Sequence, residues 1–193
     1  GSNQLFGTVA VGDNPTTMVA NKDQLLICSA GNVYVATGTQ VFQPVISFAR
    51  GTCNVVADQV IWVDGDKFTN NGASDIVSGT LIQIAGVLYH VSSVQDDQHL
   101  TLLENAGSST NVGFQAGDEL LTGATCDFVD GYFIVNVPNT KTFRISQLED
   151  GTVWDAIDVQ TKNSSVDNIA RVKRLNGQLA LIGDTDSTEI WGD

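Results

Sequence analysis

One β-hairpin pattern occurs three times in this chain, and its repetition restricts the possible folds more than any other feature of the sequence. The clearest copy has two apolar runs joined by Asp130-Gly131. This dipeptide favours a tight hairpin because glycine accepts the positive φ that such turns need. A second copy turns at Asn176-Gly177, and a copy near the start turns at residues 21–23. The spacing of 46 residues between Gly131 and Gly177 is typical of propeller blades, which repeat about every 40 to 50 residues.

The distance from Asp23 to Gly131 is longer, at 108 residues, and equals one such period plus about 62 residues. The simplest account is three copies of one antiparallel β unit, with an extra module between the first two. The sequence therefore predicts an all-β fold: a partial β-propeller-like repeat of three blade-like sheets with an inserted small β-barrel. Three hairpins that arise independently in an all-β chain are the alternative to a true repeat.

The extra module has a pattern of its own. Short strand-like runs, such as residues 79–84 and 89–94, are separated by Gly and Asp. Several such strands in a short segment favour a small, highly curved antiparallel barrel, because closure removes exposed strand edges. We therefore predict three regions: residues 1–50 as an entry segment and first blade-like unit, 51–121 as the inserted barrel, and 122–193 as the second and third units.

The charge balance restricts the partners. The net charge is −13, from 22 acidic and 9 basic residues. Phosphate binding needs clustered Lys and Arg, so this balance argues against wrapping nucleic acid. It suits a soluble surface, or a wall past which DNA slides without adhering. No apolar run is long enough to cross a bilayer and no leader pattern opens the sequence, so we expect no membrane partner.

Both ends of the sequence suggest a piece of a longer protein. Gly1-Ser2 without an initiator methionine is typical of a tag remnant, and the hairpin pattern stops abruptly after Trp191. The three cysteines, Cys28, Cys53 and Cys126, have no paired spacing, and we expect all of them to be reduced. One disulfide is the alternative.

Catalytic and metal-binding chemistry has little support in the sequence. The only histidines are His90 and His99, and neither has a Cys or a second His at a ligand-like spacing. The sequences 64–66 and 184–186 each contain two aspartates that could offer oxygens to Ca²⁺, but neither has the spaced set of ligands that a calcium loop needs. We therefore predict no catalytic residue, no metal site and no cofactor. Asn163-Ser164-Ser165 matches a glycosylation acceptor and is read as a polar loop.

The inserted module contains the residues that we expect to contact a partner. These candidates are Trp62, Tyr89, His90, Asp96 and Asp97. Trp62 and Tyr89 could also form a sugar-binding platform or simply pack in the core, while Asp96-Asp97 is predicted at a solvated hairpin tip. Two further aromatic residues, Trp154 and Trp191, recur near the ends of the repeated units, where large rings commonly seal one sheet against the next.

Five segments in a fixed order carry a resemblance to a known family, namely 130–136, 143–146, 150–156, 165–169 and 188–191. They resemble the packaged-DNA-stabilisation proteins of short-tailed bacteriophages, which are tail accessory factors below the portal. The similarity covers residues 125–191, with a weaker similarity over 11–45. It implies a propeller-like hub that helps to close the head-to-tail channel after DNA packaging and anchors the tail spike or needle. The family is structural and has no catalytic residues to transfer.

The resemblance leads to a specific expectation. The chain would be a virion structural protein in the tail or head-tail connector, made in the host cytoplasm. Its partners would be other tail and portal proteins and further copies of itself. DNA would pass along the protein without binding tightly to it. The 51–121 module departs from the family pattern, and three units cannot close a propeller ring.

Two functions of other classes compete with the structural one. The first is a phage tail carbohydrate-binding module that recognises host surface glycans, which would need an exposed aromatic cluster around Trp62 or Tyr89. The second is a hydrolase on a propeller scaffold, which would need a central carboxylate cluster. The sequence offers no such carboxylate constellation.

Overall fold

The structure is a computed structural model that describes residues 5, 7–69, 75–163 and 166–192. All regular structure in this part of the chain is β, which confirms the predicted all-β class. The chain divides into two units, one formed by Gly1–Pro44 with Leu121–Asp193 and the other by Val45–Leu120. Within the described ranges there is no helix that could cross a membrane.

Twenty strands are found in the described residues. In chain order they are β1 (Thr17–Ala20), β2 (Leu25–Ser29), β3 (Asn32–Ala36), β4 (Val41–Phe42), β5 (Val45–Ser47), β6 (Ala49–Val56), β7 (Gln59–Gly65), β8 (Leu81–Ile84), β9 (Val87–Val94), β10 (His99–Leu102), β11 (Ser108–Gly117), β12 (Glu119–Leu120), β13 (Cys126–Val129), β14 (Tyr132–Asn136), β15 (Thr142–Ile145), β16 (Trp154–Asp155), β17 (Val159–Thr161), β18 (Ile169–Leu175), β19 (Gln178–Gly183) and β20 (Thr188–Trp191).

Three antiparallel sheets in the first unit contain the three predicted hairpins. Sheet 1 has the order β1-β2-β3-β4, sheet 2 the order β13-β14-β15-β17, and sheet 3 the order β18-β19-β20. Asp130-Gly131 and Asn176-Gly177 join the first two strands of sheets 2 and 3, and both residues of each pair have positive φ. The hairpins are therefore those that the sequence predicted, and the propeller-like arrangement of the sheets stays a prediction.

The first hairpin differs in its turn. Residues 21–24 join β1 to β2 without a positive φ, and the side chain of Asn21 holds the turn by accepting hydrogen bonds from the backbone N–H groups of Asp23 and Gln24. The two-residue turn with positive φ lies one strand later, at Ala30-Gly31. An Asx-type side-chain bond thus replaces the Asp-Gly geometry of the other copies.

Sheet 3 packs on sheet 2 through an apolar layer and a row of hydrogen bonds. The layer consists of buried side chains from both sheets: Val129, Ile134, Phe143, Ile169, Val172, Leu179 and Leu181. Trp191 lies edge-on to the ring of Phe143, with 5.2 Å between ring centroids, so this tryptophan seals the two sheets as predicted. Trp154 is fully buried and donates its Nε1–H to the carbonyl of Gly151 at 2.7 Å.

Side chains of sheet 2 also bind the backbone of β18. The N–H of Val172 donates to Thr125 Oγ1 at 3.0 Å, and the N–H of Arg174 donates to Asp127 Oδ2 at 2.8 Å. Asn136, which is 1% exposed, donates to the carbonyl of Ile169 at 2.8 Å and accepts from the N–H and hydroxyl of Thr125. These bonds satisfy polar groups at the edge of sheet 3 that would otherwise be buried without partners.

The second unit contains the inserted barrel. Six strands close in the order β10-β7-β6-β11-β8-β9 around a core that includes Phe68, Leu100 and Phe114. The unit spans residues 45–120, whereas the sequence analysis drew the module at 51–121. The earlier start arises because β5 pairs with β12, which brings the two ends of the insertion together. Gly117 allows this pairing, since a Cβ there would collide with the carbonyl of Ile46.

Asn136→Ala should destabilise the protein by about 2–4 kcal/mol, because it leaves the buried N–H of Thr125 and the carbonyl of Ile169 without their partner. Urea unfolding followed by circular dichroism measures the change. Gln160→Ala is the matched control, since it removes an exposed amide from the same sheet. Equal stability of the two variants would contradict the assigned role of Asn136.

Candidate functional site

The five predicted contact residues all lie on the barrel, at two separate places. Trp62 lies on β7, Tyr89 and His90 lie on β9, and Asp96 and Asp97 lie in the turn between β9 and β10. Trp62 and Tyr89 are half-buried and pack against the barrel core. His90 is exposed. The two aromatic residues therefore contribute to the packing of the barrel rather than standing out as an open platform.

The face of Trp62 is covered by the chain itself. The ammonium group of Lys67 lies 4.7 Å from the centre of the Trp62 ring, within the range of a cation–π contact. The same ammonium forms an ion pair with Asp97 Oδ2 at 2.6 Å. Trp62, Lys67 and Asp97 thus form one small cluster, which we call the Trp62 cluster, and its cation lies over a face of the indole ring.

The two histidines each pair with a carboxylate on the barrel surface. His90 Nδ1 lies 2.7 Å from Glu104 Oε1, and the backbone N–H of His90 donates to Glu104 Oε2 at 2.9 Å. His99 Nδ1 lies 2.8 Å from Asp96 Oδ1. Asp96 and Asp97 therefore have different partners, and they do not form the shared-proton carboxylate pair that general acid–base chemistry uses.

Hydrogen bonding sets the acidity of these carboxyls. The backbone N–H of Gln98, followed by the side chain of His99, holds the pKa of Asp96 below its ordinary value. The backbone N–H and then the ring of His90 lower the pKa of Glu104 in the same way. A general acid at neutral pH needs a raised carboxyl pKa, so both shifts have the wrong direction for that role.

A buried charge cluster in the first unit was missed by the sequence analysis. The Nζ of Lys162 lies 2.7 Å from Asp167 Oδ1, and the two side chains are 0% and 4% exposed. The Ser187 hydroxyl donates to Asp167 Oδ1 at 2.6 Å and also hydrogen-bonds to Lys162. A serine beside a lysine suggests a nucleophile, but a lysine whose ammonium is paired with a carboxylate has no lone pair to act as a base. The cluster therefore connects Lys162 and Asp167 to the turn between β19 and β20.

A cavity also lies in the first unit. It has a volume of about 410 Å³ and contacts all three sheets. Its walls mix polar and apolar groups, with one exposed base and one exposed acid, and they include Thr17, Cys28, Asn136, Asn168, Arg171 and Asp184. Sequence patterns did not predict this cavity, because its lining residues come from distant parts of the chain.

The aspartate-rich turns that could have bound Ca²⁺ make other contacts. Asp64 Oδ1 accepts the N–H of Gly65, and Asp66 Oδ2 accepts the N–H of Arg50. Across residues 5, 7–69, 75–163 and 166–192, no group of three or more His, Cys, Asp or Glu side chains could hold a metal ion. Ser164 and Ser165 of the glycosylation pattern lie outside the described residues.

The depressed pKa values make part of the stability of the barrel pH-dependent. Because the folded-state pKa of Asp96 and of Glu104 lies below the ordinary values of 3.8 and 4.5, their contribution is complete above those values and is lost as the pH falls through the folded-state pKa. His99→Ala should raise the pKa of Asp96 only in part, since the Gln98 N–H remains, and should leave Glu104 unchanged. Carboxyl titration by NMR measures both. An unchanged Asp96 midpoint would contradict the pairing with His99.

Comparisons with known proteins assign no family to the chain. No family model, no curated protein sequence and no solved structure matches it.

Proposed function

We propose that this chain is a structural component of a short-tailed phage virion, a tail accessory or connector protein that helps to close the head-to-tail channel and retain packaged DNA. It acts by protein–protein contact rather than by catalysis. The resemblance in the segment 125–191 supports the family, and the outer face of sheet 3 is the observation that supports the mode of action.

The outer face of sheet 3 follows from the strand register. Leu179 and Leu181 point to sheet 2. Side chains alternate along a strand, so the residues next to these leucines on β19 point to the opposite face. The residues of β18 and β20 that pair with those neighbours lie on that face as well. That outer face carries the exposed side chains of Arg171 and Ile190, together with the backbone position of Lys173, whose ammonium group reaches Asp127 of sheet 2 at 3.0 Å. Ile190 alone leaves 49% of its surface accessible. A sheet face that mixes apolar and basic side chains is suited to contact with another protein.

The charge of this face indicates an acidic partner. Two of the nine basic residues of the chain, Arg171 and Lys173, have register positions on this face, while the whole chain has a net charge of −13. A second copy of the chain therefore offers the opposite charge, and so would an acidic neighbour in the tail. Association through two different surfaces is the kind that builds rings, which three blade-like units would need in order to close.

The enzymatic alternative has less support. The Ser187 cluster has its lysine neutralised by Asp167, and the histidines of the barrel are paired with carboxylates of depressed pKa. Neither arrangement supplies a free base next to a nucleophile. We therefore propose that the chain is not an enzyme.

The carbohydrate-binding alternative needs an open aromatic face. In the Trp62 cluster, Lys67 covers the indole ring, and Tyr89 is half-buried against the barrel core. This geometry favours a packing role for both rings. A glycan array that gave specific binding, lost on Trp62→Ala, would favour the carbohydrate function over the structural one.

Ile190→Glu should abolish self-association of the chain, because it places a charge on the apolar part of the outer face of sheet 3. Light scattering over a concentration series should give a mass above that of the monomer for the parent chain and the monomer mass for the variant. Val87→Glu is the matched control, since Val87 has the same 49% exposure but lies on the barrel. A parent chain that stays monomeric at all concentrations, or a control that dissociates equally, would contradict self-contact through this face.

The acidic residues near β18 should suppress binding of DNA to its basic side chains. Asp184→Asn combined with Asp186→Asn should increase DNA retention at low salt by roughly threefold to tenfold, because Asp184 lies beside the start of β18. Asp118→Asn combined with Glu119→Gln changes the net charge equally on the barrel unit and should have little effect. Gel retardation of a short duplex measures both. Equal DNA binding by the parent and both variants would refute the idea that these acids keep DNA from adhering.

A further inference from the structure

We propose that Cys28 and Cys126 form a redox modification site, at which a small two-electron oxidant converts the two thiols to a disulfide that links sheet 1 to sheet 2. All three cysteines of the chain are free and buried in the reduced protein described here. The proposal concerns only this pair, and it does not depend on the function proposed above.

The two thiols lie on neighbouring strands of sheets 1 and 2. Cys28 lies on β2, and Cys126 begins β13. The Sγ of Cys126 is 3.7 Å from the carbonyl oxygen of Thr17, which is the cross-strand neighbour of Cys28. It is also 3.9 Å from the carbonyl oxygen of Leu26, two residues before Cys28 on the same strand. These contacts place the Cys126 thiol beside the part of β2 that carries Cys28, where side-chain movements can bring the two sulfurs to bonding distance.

The cavity of the first unit gives a small molecule access to Cys28 and to Thr125, the residue before Cys126. Cys28 and Thr17 line the cavity, whose volume of about 410 Å³ is ample for a peroxide or a small diazene. Cys53 offers a contrast within the same chain. It is buried in the barrel core, and burial raises the pKa of its thiol to about 12.

The proximity of the two thiols also decides which sulfur reacts first. Interaction with Cys28 lowers the pKa of Cys126, while interaction with Cys126 and burial raise the pKa of Cys28. The thiolate therefore forms at Cys126, and the thiolate is the nucleophile. With a diazene as oxidant, Cys126 sulfur adds to one nitrogen of the N=N bond. Cys28 sulfur then attacks Cys126 sulfur and expels the hydrazine, which carries away both thiol protons and the two electrons.

The bridge would close a long loop. The segment between Cys28 and Cys126 includes the whole of the Val45–Leu120 unit. A cross-link across so many residues restricts the unfolded chain strongly, so the folded state gains stability if the bond fits the native packing. The oxidised protein should therefore have a higher melting temperature than the reduced one.

The test is oxidation of the full chain with diamide, followed by a count of free thiols in denaturant with a chromogenic thiol reagent. The count should fall from three to one, and peptide mapping without reductant should give a peptide pair that joins Cys28 to Cys126. The melting temperature should rise by several degrees and return to its starting value after treatment with dithiothreitol.

Two variants make the test specific. Cys53→Ala should still lose both of its remaining thiols, whereas Cys126→Ala should keep both. Three free thiols after oxidation, a bridge that includes Cys53 or a second chain, or a melting temperature that falls would each overturn the proposal. If Cys126→Ala does not fold, the peptide map of the parent chain and the Cys53→Ala count decide the outcome.

Discussion

The first unit of this protein depends on satisfying the backbone groups at the edges of its separate sheets. A sheet edge presents unpaired N–H and C=O groups, and burying them without partners is costly. The barrel of the second unit avoids this cost by closing on itself. In the first unit, sheet 2 instead supplies side chains: Thr125 and Asp127 accept from the backbone of β18, and Asn136 donates to it. Burial alone would raise the pKa of Asp127, but its hydrogen bonds from Arg174 and Lys173 outweigh burial and keep the carboxyl ionised.

Local chemistry explains what the sequence could predict. Asp130-Gly131 and Asn176-Gly177 form the expected turns because the preference for positive φ belongs to the dipeptide itself. The short alternating runs of the inserted module likewise close into a barrel, as their pattern predicted. The first hairpin departed from the pattern because Asn21 can hold a longer turn with its own side chain. The hydrogen bonds of this side chain reach only two and three residues along the chain, so an Asn at the start of the turn is the sequence signal that predicts such a turn.

Contacts between distant residues explain what the sequence could not predict. Ser187 is distant from Lys162 and Asp167 in the sequence, yet the fold buries Lys162 and Asp167 together and brings Ser187 against them. The spacing of Cys28 and Cys126 in the sequence does not indicate that they lie close together, because the barrel unit separates them in the chain. Among the predicted contact residues, His90, Asp96 and Asp97 each hydrogen-bond to a neighbouring side chain, as Asp97 does to Lys67. A pattern in the sequence identifies side chains that can interact, but only the fold decides their partners.

The distribution of charge joins the two parts of the functional proposal. A uniformly acidic surface would repel both DNA and an acidic partner, and a basic surface would bind both. An acidic chain with a third of its bases on one strand separates the two requirements, because that strand can be covered by a protein while the remaining surface repels DNA. Arg171 lies on the outer face of sheet 3 with the apolar Ile190, so a protein partner gains burial of apolar surface that a phosphate backbone does not. The same face can therefore favour protein over DNA even though both partners carry negative charge.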